Sequence, residues 1–241
     1  DIKIVLEYGM LSEDKFYEKA GAFVLYPTVD DTYFTLEELK EKIKEKQTDK
    51  DGKLVVLYAG NKEAQHSYIE IAKDKGYEVL LLDSPIISHL IQKIEGDNSG
   101  LHFVRVDSDH IDNLIKKEDA AISKLSEEEK ESLKTSLETY IPKAYTVQLE
   151  ALDSNAAPFI ITQPEFMRRM KEMSQSGGGG MFGMGNMPEM YNLVVNTNSD
   201  LATSILNNKD KSAQESLVKQ ALDLAKLSQN LLKGEELTAF V

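Results

Sequence analysis

Apolar residues in the first half of the chain mark strands that alternate with helices. The run "KLVVLYAG" at 53–60 is continuously apolar, which is typical of a strand buried on both faces of a parallel sheet. The segments "YEVLLLDSPI" and "HFVRV" predict two more strands, with helical spacing of apolar residues between them. Thr35 and Glu38 form a capping box that begins a helix ahead of the first strand. The alternation predicts a small parallel sheet flanked by helices.

The second half has a different pattern. Ser126 and Glu129 form a second capping box, and "AYTVQLEALD" and "YNLVVNTN" read as strands. We therefore predict an α/β domain over 1–120, followed over 121–241 by an α+β domain with a short mixed sheet and C-terminal helices.

The last helix predicted from the pattern carries a wide apolar stripe. Ser212 and Glu215 suggest a third capping box at its start. A stripe this wide needs cover on more than one side, so it predicts a subunit interface, although burial within its own domain fits the pattern equally well. The candidate dimerisation residues are Leu217, Ala221, Leu224, Ser228, Leu231 and Leu232.

Seven of the eight methionines lie between Phe166 and Met190. After Pro164, the spacing predicts a short amphipathic helix from Glu165 to Ser174. Its apolar stripe holds Phe166, Met170 and Met173 with Met167 at the edge, and Arg168, Lys171 and Glu172 lie opposite. The glycines and proline that follow make a longer helix costly, at roughly 1 kcal/mol per glycine and ~3 kcal/mol per proline.

Three interpretations of these methionines remain open. The helix could pack into its own domain, because a methionine stripe usually belongs to a core. The thioethers could bind a soft metal such as Cu(I), although no cysteine or histidine lies beside them in the sequence. Or the methionines could form an adaptable apolar surface for partners of different shapes.

Composition narrows the classes of function. The formal net charge of −13 argues against nucleic acid or an anionic membrane as the main partner. The absence of cysteine excludes disulfides and thiolate metal sites, and with no signal peptide apparent we expect the cytoplasm. Because the chain opens with Asp1 inside an element, we expect a fragment.

Catalytic motifs are scarce. The sequence has no phosphate-binding Gly-Lys-Ser/Thr loop and no Gly-x-Ser-x-Gly elbow. The alternative hypothesis is a divalent-metal α/β enzyme that uses Asp83, Asp107 and Asp109 at the carboxyl ends of the strands. Asp109 is better explained as the N-cap of the following helix. For Asp83, a turn carboxylate before Ser84 is as good an explanation as a functional role.

Several segments in register resemble the ninety-kilodalton heat-shock chaperone family, and most closely its bacterial members. They are "KLVVLYAG", "GYEVLLLDSPIISHLI", "VQLEALDSNAAPFIITQPEFMRRMKEM", "YNLVVNTNSDLATSI" and "LVKQALDLAKLSQNLLKGEELTAF". The resemblance covers essentially the whole chain and places it in the later middle domain and the C-terminal dimerisation domain of that family.

The resemblance implies a homodimeric, ATP-dependent chaperone of the bacterial cytosol that binds non-native client proteins. Its ATP and Mg²⁺ site would lie in an N-terminal domain outside these residues, so we expect this chain to hold no cofactor or metal and to have no ATPase activity. The family's exposed amphipathic helix matches the methionine stretch here. The implied client-binding residues are Phe166, Met167, Met170, Met173, Met181, Phe182, Met184 and Met187.

Two departures from the family's pattern affect these expectations. The chain stops early in the last helix of the dimerisation bundle, which bears on the strength of the dimer. It also lacks the acidic tail of the eukaryotic cytosolic forms, as expected for a bacterial member.

Overall fold

The computed structural model describes residues 2–116, 122–176 and 190–240. In chain order the elements are α1 (Ile2–Ser12), α2 (Asp14–Ala20), β1 (Tyr26–Pro27), β2 (Tyr33–Phe34), α3 (Leu36–Gln47), β3 (Leu54–Ala59), α4 (His66–Asp74), β4 (Val79–Leu81), α5 (Ile87–Asp97), β5 (Leu101–Arg105), α6 (Ile111–Leu114), α7 (Glu127–Tyr140), β6 (Tyr145–Glu150), β7 (Phe159–Thr162), α8 (Glu165–Ser176), β8 (Tyr191–Asn196), α9 (Asp200–Asn207), α10 (Lys211–Ser228) and α11 (Gly234–Phe240).

The chain divides into two compact units. The first contains the described residues 2–116 and 165–176, and the second contains 122–164 and 190–240. The sequence-based division at residue 120 places α8 in the second domain, whereas α8 makes its contacts with the first unit. The assignment of the two domains to chaperone domains stays a prediction.

The first unit is built on a three-stranded parallel sheet with the order β4-β3-β5. Successive side chains of a strand point to opposite faces. Val56 and Tyr58 of β3 accordingly join one buried cluster, which includes residues of α3 and α5. Val55 and Leu57 join another, which includes residues of α4 and α6. Burial on both faces explains why the strand reads as a continuous apolar run, as predicted.

The second unit contains a mixed sheet with the order β6-β8-β7. Strand β8 pairs parallel to β6 and antiparallel to β7. Leu193 and Val195 of β8 pack in one cluster with residues of α7, α9 and α10. The predicted fold class, an α/β arrangement followed by an α+β arrangement with C-terminal helices, is confirmed.

The observed N-caps of the helices can be compared directly with the predicted capping boxes. The capping boxes of Thr35 with Glu38 and of Ser126 with Glu129 are both present, as predicted. The third is wrong, because α10 begins two residues earlier than predicted, with Asp210 as its N-cap. There the Asp210 carboxylate accepts hydrogen bonds from the backbone N–H groups of Ser212 and Ala213.

The N-cap predicted at Asp109 is also wrong. The N-cap of α6 is His110, whose ring accepts a hydrogen bond from the backbone N–H of Asp112. The Asp109 carboxylate lies one position too early for this role. It accepts instead from the backbone N–H of His110 and from the side-chain amide of Asn113.

The corrected start of α10 gives a direct test. We expect Asp210→Ala to destabilise the second unit by about 1 kcal/mol, because an N-cap acceptor is lost. We expect Ser212→Ala to cost less than ~0.5 kcal/mol, as a surface change away from a cap does. Urea unfolding followed by circular dichroism measures both changes, and a larger loss for Ser212→Ala would restore the capping box at Ser212.

Candidate functional site

Helix α8 lies in the first unit with its polar side inward. The Arg168 side chain is only 4% exposed, whereas Phe166 is 71% exposed and Met167 is 37% exposed. Met170 and Met173 are partly buried. A surface helix normally turns its apolar stripe to the core and its charges to water, so the orientation of α8 needs a specific cause.

Arg168 provides the first part of that cause. Its guanidinium donates to the Glu172 carboxylate at 2.6 Å and to the Glu165 carboxylate at 2.5 Å, one turn away on either side. It also donates to the hydroxyl of Tyr58 on β3. Burial disfavours the charge of Arg168, but the neighbouring Tyr58, Glu165 and Glu172 outweigh this effect, so its pKa is raised. Arg168 is therefore a buried cation that three oxygen atoms hold in place.

Arg169 provides the second part. Its guanidinium donates to Glu95 of α5 at 2.8 Å, to Glu165 at 2.6 Å and to the backbone carbonyl of Phe103 on β5. Burial by itself would raise the pKa of Glu95. Hydrogen bonds from His102, from Arg169 and from the backbone N–H of Phe103 lower it to about 2. Glu95 is thus held as a carboxylate that faces a fixed guanidinium.

Glu172 ties the far end of the helix to the same surface. It accepts a hydrogen bond from the Ser88 hydroxyl at 2.5 Å, and its other carboxylate oxygen lies 3.4 Å from Arg105. Burial by itself would raise the pKa of Glu172. The charge of Arg168 and the hydrogen bond from Ser88 together have a larger effect in the opposite direction, so the pKa of Glu172 is lowered. We call Arg168, Arg169, Glu165, Glu172 and Glu95 the ionic clasp.

The clasp is not fully satisfied. Nε of Arg168 and one oxygen of Glu165 are buried without a hydrogen-bond partner among the residues that the structure describes. Each such atom carries a desolvation cost of roughly 1–3 kcal/mol. A buried ionic contact of this kind is weak evidence for stability, and its best-attested use is to fix one arrangement over another. Here the arrangement it fixes leaves Phe166 and Met167 exposed and Met170 and Met173 partly buried.

The candidate client-binding residues have different placements. Phe166 and Met167 are exposed, whereas Met170 and Met173 are partly buried on α8. Met181, Phe182, Met184 and Met187 lie outside the described residues. The sequence analysis placed Arg168, Lys171 and Glu172 opposite the apolar stripe, but it did not predict that Arg168 would be buried. The missed signal was the spacing of Glu165, the two arginines and Glu172, which places salt-bridge partners three and four residues apart.

The structure does not bring the three aspartates of the enzyme hypothesis together. Asp83 forms an ion pair with Lys3. Asp107 accepts two hydrogen bonds from the guanidinium of Arg105, at 2.6 and 2.9 Å. Within the residues that the structure describes, no group of three or more histidine, aspartate or glutamate side chains could hold a metal ion. The soft-metal interpretation of the methionines stays a hypothesis.

The candidate dimerisation residues divide between the core and the surface of the second unit. Ala221 and Leu232 are buried, and Leu217 and Leu231 pack partly against the core. Leu224 is 56% exposed, and Ser228 is also exposed. Leu227, which the stripe did not include, is 43% exposed. Leu224, Leu227 and Ser228 therefore form an exposed patch on the C-terminal half of α10, which we call the α10 patch.

No helix among 2–116, 122–176 and 190–240 is long and apolar enough to cross a lipid bilayer.

Comparison with known proteins points to a class of chaperone. No family model matches the chain. Curated bacterial chaperones do match it, and they are named chaperone protein HtpG. The match in Bacteroides thetaiotaomicron is 44% identical over 87% of this chain and 31% of its own length. Those in Bacteroides fragilis and Porphyromonas gingivalis are 42% and 41% identical, over 90% and 94% of this chain.

This chain is therefore homologous to part of the HtpG heat-shock chaperones, and the predicted resemblance is confirmed. It spans about a third of the length of the relatives it matches, between 31% and 34%.

The clasp can be tested by a double-mutant cycle on Arg169→Met and Glu95→Gln. We expect each single change to lower the opening free energy of α8 by about 3 kcal/mol, because a partly buried charge loses its partner. We expect the double variant to lose less than the sum, with a coupling of roughly 1–3 kcal/mol. Amide hydrogen exchange across α8 measures the opening free energy.

Lys219→Met is the matched control. Lys219 pairs with Glu215 on the exposed surface of α10, where an ion pair contributes little. The Lys219→Met variant should leave the amide hydrogen exchange of α8 unchanged. Strictly additive effects of the two clasp variants would show that Arg169 and Glu95 do not act together.

Proposed function

We propose that this chain acts in a chaperone by binding non-native client proteins through the exposed side of α8. The observation that supports this most is the reversed orientation of the helix, with Phe166 and Met167 in solvent while Arg168 is buried. Methionine is unbranched and polarizable, so it can repack against apolar groups of many shapes. Exposed apolar surface of this kind marks an interaction site.

The chemistry of this site is reversible binding, with no bond made or broken. Client contacts would be apolar and individually weak, and the buried clasp would keep the contact surface in place while clients exchange. The net charge of −13 on this chain disfavours binding to nucleic acids and anionic membranes. We assign the chaperone to the bacterial cytoplasm. The full-length chaperone would use ATP and Mg²⁺ in a domain outside this chain, and the chain itself would hold no nucleotide, cofactor or metal.

We propose as well that the α10 patch contributes to a homodimer interface. Leu224 and Leu227 are large apolar side chains exposed on one helix. The neighbouring buried positions, Ala221 and Leu232, would support the patch from within the second unit and would not cross the interface.

The client proposal is tested by Phe166→Glu combined with Met167→Glu. We expect this double variant to lose most of its ability to suppress aggregation of a heat-unfolded client such as citrate synthase. We expect little change in stability, because surface substitutions away from special features typically cost under ~0.5 kcal/mol. Light scattering and a thermal melt measure the two effects, and a marked fall in stability would place these side chains in a core.

The dimer proposal is tested by Leu224→Glu combined with Leu227→Glu. We expect sedimentation equilibrium to show a dimer for the unchanged chain and a monomer for this variant, because like charges would face each other across a two-fold interface. Each double variant is the control for the other, since the α8 changes should leave the dimer intact. Loss of dimer in both variants, or a dimer that survives the α10 changes, would contradict the assignment.

A further inference from the structure

The first unit contains a cavity that is separate from the clasp. It has a volume of about 620 Å³ and lies against α1, the β1–β2 hairpin, the end of β4 and the start of α5. Apolar side chains form most of its walls, among them Leu6, Met10, Leu25, Leu82 and Leu90. Pockets for small ligands commonly have volumes of about 300–1,000 Å³ and mostly apolar walls with a few polar groups.

One of the polar groups in this wall is a buried acid. Glu7 of α1 is only 8% exposed, and its Oε2 atom has no hydrogen-bond partner among the described residues. Burial raises the pKa of Glu7, although a hydrogen bond with Ser84 and the charge of Lys3 act in the opposite direction. A buried carboxyl oxygen without a partner is costly, so a ligand that supplies a donor at Glu7 would recover part of that cost.

The balance of charge around the cavity favours a cation. Glu7, Asp31 and Asp83 line the cavity, against a single ammonium group from Lys3. The Lys3 ammonium is already paired with Asp83. The lining therefore carries an excess of acidic groups over basic ones.

Aromatic side chains in the lining also favour a cationic ligand. Phe23, Tyr26 and Tyr33 line the cavity, and Phe23 and Tyr33 are more than half exposed. Burial raises the pKa of Tyr26, and the neighbouring Tyr17 and Glu7 add to the shift. Aromatic rings attract ammonium groups, and they do so more strongly where water is excluded.

We propose that this cavity binds a small amphiphilic amine, with its hydrocarbon part among the apolar walls and its ammonium group at Glu7. The apolar walls account for the hydrocarbon part. The free oxygen of Glu7 and the excess of acidic groups in the lining account for the ammonium group. This site is independent of the proposed client surface on α8, because no residue named in the cavity belongs to that helix.

Three probes with the same six-carbon chain test the proposal: hexylammonium, 1-hexanol and hexanoate. Each is titrated into ¹⁵N-labelled protein and followed by amide chemical shifts. We expect hexylammonium to shift the amides of Glu7, Tyr26 and Asp83 while leaving Ile69 of α4 unchanged. We expect 1-hexanol to bind at least about tenfold more weakly and hexanoate to show no saturable binding, because a hydrogen bond to a charged group contributes roughly 1.5–3 kcal/mol.

Glu7→Gln provides the variant test, and Glu13→Gln is its control, because Glu13 lies outside the cavity lining. Glu7→Gln should weaken hexylammonium binding by about tenfold or more and leave 1-hexanol binding unchanged. Glu13→Gln should change neither. Equal affinity for hexylammonium and 1-hexanol, or the absence of hexylammonium shifts at the cavity, overturns the proposal. The comparison of probes on the unchanged chain decides the matter even if Glu7→Gln fails to fold.

Discussion

Two adjacent arginines determine how α8 meets the first unit. Arg168 and Arg169 point toward the sheet and α5 of the first unit. Their guanidinium groups donate hydrogen bonds there to the Tyr58 hydroxyl, the Glu95 carboxylate and the carbonyl of Phe103. Guanidinium groups suit this role because they remain charged and present several donors in a fixed geometry. Once these donors are buried with their carboxylates, the opposite side of the helix must face outward. The exposure of Phe166 therefore follows from the polar contacts of Arg168 and Arg169.

The parallel sheet of the first unit supplies the fixed positions that the clasp needs. Tyr58 lies on β3, which is buried on both faces, and its ring belongs to the same apolar cluster as Phe103 of β5 and Ile91 of α5. Because that cluster is closely packed, the Tyr58 ring has little freedom to move. The Glu95 carboxylate is held by hydrogen bonds from the backbone N–H of Phe103 and from Arg169. The packed core beneath the sheet would thus hold the backbone of α8 in place. The methionine side chains would let the binding surface adapt to different partners.

The sequence predicted what depends on local patterning. Continuous apolar runs identified the central strands, and methionine spacing identified α8 within two residues of its observed end. Predictions that required a choice between nearby residues of similar chemistry were wrong. Both Asp210 and Ser212 can cap a helix, and only the observed start of α10 distinguishes them. Likewise, the stripe on α10 could not show that Ala221 faces inward and Leu224 outward. The spacing of Glu165, Arg168 and Glu172 indicates salt bridges along α8, but it does not show that Arg168 is buried.

The proposed client surface requires that Phe166 and Met167 of α8 are exposed in solution. This exposure is tested most directly by labelling the methionine methyl groups with ¹³C and adding a soluble gadolinium chelate, which broadens signals near solvent. Met10 is a buried reference at 1% exposure, against 37% for Met167. We expect the Met167 methyl signal to broaden strongly while that of Met10 is preserved. Equal protection of the two signals would show that Met167 is covered, and would contradict the orientation of α8 on which the proposed client surface rests.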